Sequence, residues 1–105
     1  MTKTDLSQLS PSLVWQIFKN ISKIPRCSKK EEKIRSWVKN WANKNNIAFK
    51  EDKVGNILLT QTATPSFETN PTLVLQGHMD MVCTKEQDLL FNFDADPINV
   101  VVDES

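Results

Sequence analysis

The 105-residue sequence predicts an α/β fold, with two N-terminal amphipathic helices packed on a small mixed sheet. Three observations carry this expectation. Apolar residues recur at helical spacing in two separate stretches near the start. Strand-like runs replace them from Ile47 onward. A short apolar run, Leu73-Val74-Leu75, then stands between Asn70-Pro71 and Gly77, as a buried strand would.

The first helix is expected over 11–22. Ser10 suits an N-cap, and Pro11 suits the first turn because its missing N–H has no partner there anyway. Leu13, Val14, Ile17, Phe18 and Ile21 follow at helical spacing, and Pro25 stops the run. The second helix is expected over 29–45. Ser28 and Glu31 form an S-x-x-E capping-box pattern, and Ile34, Trp37, Val38 and Trp41 make one apolar stripe. Lys29, Lys30, Lys33, Arg35, Lys39 and Lys44 occupy the other faces. Glu31 and Glu32 interrupt them, so they read as a solvated surface rather than a nucleic-acid patch. Asn45-Asn46 is the stop signal.

Strands are expected over 47–52, 57–60 and 72–77. The first two are joined through the turn-prone Gly55-Asn56 pair as a hairpin or a bulged ribbon. Residues 61–71 are polar with two prolines and read as a surface loop. Val100, Val101 and Val102 look like a last strand, running into an acidic end as if the chain stopped mid-sheet.

The totals exclude several classes. Thirteen basic residues balance thirteen acidic ones, so no net charge draws the chain to nucleic acid or an anionic membrane. No run approaches the roughly 20 apolar residues of a membrane helix, and no signal-peptide core follows Met1. A cytoplasmic protein of one small domain is expected. Cys27 and Cys83 lie far apart and outside any CxxC pattern. They read as free thiols in a reducing compartment, with a disulfide or a thiolate ligand as the alternatives.

The only histidine, His78, ends the apolar run, and Asp80 stands two residues later. Residues i and i+2 of a strand share a face, so the two side chains are expected to emerge together. That suits a metal-bound imidazole oriented by a carboxylate, and equally a histidine simply hydrogen-bonded to an acid. Zinc commonly takes four ligands, and this chain offers one imidazole. Cys83 is the nearest soft donor but reads as a small buried hydrophobe. Glu51, Asp52, Asp88, Asp94, Asp96, Asp103 and Glu104 are scattered and read as surface. There is no glycine-rich phosphate loop and no G-x-S-x-G elbow.

Several segments carry a resemblance. They are Leu6-Ser7-Gln8-Leu9-Ser10-Pro11, Trp15, Ile17-Phe18, Ile24-Pro25, residues 28–32, Trp41-Ala42, Asp52-Lys53-Val54-Gly55-Asn56-Ile57-Leu58, residues 73–82 and Asp96-Pro97-Ile98. In order and spacing they resemble the N-terminal part of the aminoacyl-histidine dipeptidases, also called Xaa-His dipeptidases or peptidase D. These belong to the co-catalytic zinc exopeptidases that include carnosinases.

The resemblance implies a metallo-dipeptidase that hydrolyses Xaa-His dipeptides with a zinc-activated water and two zinc ions per site. It implies that His78 is a zinc ligand and that Asp80 is the active-site carboxylate supporting it. It also implies that residues 1–105 are the incomplete N-terminal portion of a catalytic domain. The bridging aspartate, the general base, the remaining ligands and the lid or dimerisation domain of that family have no counterpart here. The chain alone is therefore expected to be inactive and to bind zinc weakly. A homo-oligomer, or association with the missing C-terminal region, is the expected assembly. The competing expectation is a non-catalytic binding or assembly module that keeps the family's N-terminal fold.

Overall fold

The computed structural model describes residues 5–103. Two helices and a two-stranded antiparallel sheet follow one another: α1 (Ser12–Ser22), α2 (Glu32–Lys44), β1 (Ala48–Glu51) and β2 (Ile57–Thr60), preceded by a 3₁₀ turn at Leu6–Gln8. The chain divides into two compact units, one of residues 5–34 and 80–103, the other of residues 35–79. The α/β expectation holds, with the sheet smaller and purely antiparallel. No helix among the described residues is long and apolar enough to cross a membrane.

In the first unit, Asp5 caps the 3₁₀ turn by accepting from the Ser7 N–H at 3.1 Å, and it pairs with Lys19 of α1 at 3.2 Å. α1 starts one residue inside the predicted range. Its N-cap is Pro11, which has no capping side chain, and the Ser10 carbonyl instead accepts from the Trp15 indole at 3.3 Å. The stripe of α1 is real but largely open, because Leu13, Val14 and Phe18 remain exposed. Leu6 is buried in this unit, and so is Ser22, whose hydroxyl donates to the Phe18 carbonyl at 2.8 Å. The Ile98 N–H reaches the Ser22 carbonyl at 3.0 Å and brings the chain's later residues back to the end of α1.

α2 begins at Glu32, three residues later than predicted. The expected capping box does not form. The Ser28 hydroxyl turns to Asp80, while Glu31 accepts from the Lys29 N–H at 2.6 Å and Lys29 adopts a φ of 73°. The stripe of α2 is otherwise as expected, with Ile34 2% exposed, Ala42 fully buried and the Trp37 and Trp41 rings stacked at 6.5 Å.

In the second unit the hairpin register pairs Ala48 with Thr60 and Glu51 with Ile57. Its turn is built by Asp52, whose carboxylate accepts from the Val54 and Asn56 N–H groups at 3.0 and 2.8 Å and from the Asn56 side chain at 2.8 Å. Gly55 sits at φ 94°, a conformation L side chains rarely adopt, and a Cβ there would lie 3.0 Å from Arg35 Cδ.

Two predicted strands do not form. Residues 72–77 join no ladder, and Leu73, Val74 and Leu75 are 81%, 75% and 86% exposed. The run is apolar on both faces, which is the pattern of a strand covered on both sides and paired on both edges. Among the described residues no strand flanks it. Residues 100–102 likewise join no ladder.

Candidate functional site

The first unit gathers a compact constellation around residues 26–28 and 80–83. The Met81 N–H donates to the Arg26 carbonyl at 2.9 Å, and the Ser28 N–H donates to the Met81 carbonyl at 3.2 Å. This is an isolated parallel bridge in which Cys27 faces Met81. Two side-chain links reinforce it. The Ser28 hydroxyl donates to the Asp80 carboxylate, and Cys27 is joined to Cys83 by a disulfide with Cα atoms 5.6 Å apart. The separation is ordinary for a disulfide. The expectation of two free thiols is thereby corrected. Main-chain pairing of the 26–28 and 80–83 segments brings two distant cysteines together, and their sequence spacing carried no sign of it.

Asp80 is half-buried and anchored on Ser28. His78 is exposed and lies near the end of the second unit. Among the described residues, no group of three or more His, Cys, Asp or Glu side chains could hold a metal ion. An imidazole and a carboxylate are donors of the right kind for zinc, but two do not make a site. The described residues therefore do not fit a complete zinc centre.

Four of the other acids have structural partners, while Glu104 lies outside the described residues. Glu51 pairs with Lys39 at 3.2 Å, Asp94 pairs with Lys30 at 3.1 Å, and Asp96 accepts from the Asn92 N–H at 2.8 Å. Asp52 is held below the ordinary carboxylate range, first by the Asn56 side chain and then by the backbone N–H groups of its turn. A cavity of about 180 Å³ in the first unit is lined by Pro25, Cys27, Lys30, Lys33, Phe93 and Asp94 among others. Neither His78 nor Asp80 lines it. Within it Lys30 donates to the Asp94 carboxylate at 3.1 Å and Lys33 to the Asp94 carbonyl at 3.2 Å.

With this geometry in view, comparison with known proteins points to one class, the dipeptidases. No family model matches the sequence. The cytosol non-specific dipeptidase of Escherichia coli (strain K12) is 40% identical over 100 residues, which are 95% of this chain and 21% of that protein. The crystal structure of aminoacylhistidine dipeptidase from Vibrio alginolyticus matches with a TM-score of 0.91 and 37% identity, over 96% of this chain and 21% of that one. The resemblance to aminoacyl-histidine dipeptidases is thus found in both sequence and backbone. The chain spans about a fifth of the length of the relatives it matches.

Proposed function

We propose that this chain is the N-terminal portion of the catalytic domain of a zinc-dependent dipeptidase, with His78 supplying a zinc ligand and Asp80 the carboxylate that orients it. The substrate class is dipeptides of the Xaa-His type. The observation that carries the reading is the extent of the likeness. Nearly the whole chain, not one motif, follows the backbone of aminoacylhistidine dipeptidase at a TM-score of 0.91.

The Ser28–Asp80 hydrogen bond is consistent with this role, because a carboxylate that orients a metal-bound imidazole must itself be held. The isolated chain is inactive on this reading, since peptide hydrolysis at a metal needs further ligands and a general base. The reading places the chain in the cytoplasm, the compartment for which the E. coli cytosol non-specific dipeptidase is named. A reducing compartment would keep Cys27 and Cys83 as thiols, so the disulfide forms there only on oxidation.

The test is a covalent chimera in which this chain replaces the matching 100 residues of the E. coli dipeptidase. Chelator-sensitive hydrolysis of an Xaa-His dipeptide, lost on His78→Ala, is the expected result. A folded, zinc-loaded chimera without turnover refutes the reading and favours a non-catalytic assembly module.

A further inference from the structure

We infer that Cys27 and Cys83 are a reversible thiol-oxidation site coupled to the Ser28–Asp80 hydrogen bond, with a low-molecular-weight disulfide as the oxidant. Oxidation tightens the hold on Asp80, and reduction loosens it. That Asp80 orients a metal-bound imidazole rests on the proposed function, whereas its coupling to the cysteines rests on the geometry of the first unit alone.

Two side-chain links span one short bridge. Cys27 and Ser28 are neighbours on one segment, and Asp80 and Cys83 stand on either side of Met81 on the other. Among the described residues, two main-chain hydrogen bonds join 26–28 to 80–83, and no ladder extends them. The disulfide and the Ser28–Asp80 bond therefore restrain the same few residues. Each link, once formed, lowers the chain entropy that the other must lose. Such coupling is reciprocal. A closed disulfide favours the Ser28–Asp80 contact, and that contact raises the effective concentration of one thiol at the other.

The surroundings of the two cysteines assign the order of attack. Cys27 lines the cavity of about 180 Å³, whereas Cys83 lines a much smaller one beside Ile24, Met81, Phe91 and Phe93. The Cys27 thiolate attacks one sulfur of the small disulfide, whose S–S bond breaks and releases one thiolate. The Cys83 thiolate then attacks the Cys27 sulfur of the mixed disulfide and expels the second thiolate. The protein loses two thiol hydrogens, and the small disulfide takes up two electrons and two protons as two thiols. Excess thiol drives the same steps in reverse.

The experiment equilibrates the 105-residue chain in mixtures of oxidised and reduced glutathione, starting from either redox form. Acid quenching, alkylation and intact mass give the oxidised fraction. One midpoint reached from both sides is expected, with amide exchange at Ser28 and Met81 about five-fold or more faster in the dithiol form. Ser28→Ala should require about five-fold more oxidising mixtures to reach the midpoint, the factor that one ordinary hydrogen bond supplies. Ser28→Thr keeps the hydroxyl and should restore the midpoint of the unaltered chain. Cys83→Ser should accumulate the mixed disulfide on Cys27, and Cys27→Ser should take up glutathione more slowly. A pair that stays dithiol in the most oxidising mixture overturns the inference, as does a midpoint indifferent to Ser28→Ala. Faster uptake at Cys83 than at Cys27 overturns the assigned order of attack. The exchange comparison needs no substitution, and equal rates in the two redox forms overturn the coupling by themselves.

Discussion

The Ser28 hydroxyl donates to the Asp80 carboxylate across 52 residues of sequence. The same serine loses its expected helix-capping role in consequence, so α2 starts at Glu32. One hydroxyl thus sets both the start of a helix and the position of a candidate active-site acid. Ser28→Ala should lower stability by about 1 kcal/mol, the worth of an ordinary hydrogen bond to a partly exposed group. Urea titration of the two proteins checks it, and an unchanged midpoint would show the bond to be energetically idle.

In the covalent chimera, Asp80→Ala should reduce zinc affinity or turnover by roughly 10–100-fold, the usual cost of losing the group behind a ligand. Ser28→Ala should give a smaller loss in the same direction. His78→Ala should remove activity. Zinc titration followed by steady-state assay separates the three. Equal losses for Ser28→Ala and His78→Ala would contradict the assigned roles.

The Cys27–Cys83 disulfide closes a long stretch, with a sequence separation of 56. Loop-closure entropy for that span corresponds to about 4 kcal/mol. Adding a dithiol reductant, or substituting Cys83→Ser, should therefore lower the melting temperature markedly. Calorimetry with and without reductant measures it, and intact-mass analysis should show two hydrogens gained on reduction. A Cys83→Ser variant that melts like the oxidised protein would exclude a stabilising crosslink.

Asp52 holds the hairpin turn with its carboxylate ionised, and its folded pKa lies below the ordinary aspartate value of 3.8. A depressed folded value means stability that is present above the unfolded pKa and lost as pH falls through the folded one. The hairpin should therefore keep its turn at neutral pH and loosen only in strong acid, below about pH 4. Asn56→Ala removes the largest cause and should move the Asp52 titration upward. Carboxyl-carbon NMR of Asp52 reads the shift, and an unmoved titration would contradict the assigned cause.

Gly55 combines φ 94° with the Arg35 side chain standing where a Cβ would go. Gly55→Ala should cost about 1–3 kcal/mol, from backbone strain and displacement of the arginine. Thermal melts compare Gly55→Ala with a Gly55→Ala, Arg35→Ala double variant. Partial recovery in the double variant is expected, and none would place the whole cost in the backbone.

Both helices and the hairpin were legible in the sequence because each rests on local physics. Ile34, Trp37, Val38 and Trp41 declare a helix face by spacing, and the Gly55-Asn56 pair declares a turn by chemistry, though the part of Asp52 in that turn shows only in the structure. The residues around Asp80 were legible only in part. The H-x-D spacing singled out His78 and Asp80, but the hydroxyl that anchors Asp80 looked like a helix cap. No local signal tells Ser28 to prefer an acid 52 residues away. The cysteines failed for the same reason, since pairing at that separation is decided by the path of the backbone. The run 72–77 was misjudged differently. Its apolar pattern describes the surroundings a strand is suited to, and among the described residues those surroundings are not supplied.

The bond between Cys27 and Cys83 also turns residues 28–82 into a covalent ring, and the exposed polar stretch 61–71 lies on its circumference. A protease that cuts this stretch opens the ring without dividing the molecule. The cleaved protein would travel as one species until a thiol reductant splits it into two. Wherever the bond is formed, backbone continuity and molecular integrity become separate properties, and the redox state of one cysteine pair decides whether a surface nick is a scar or a severance.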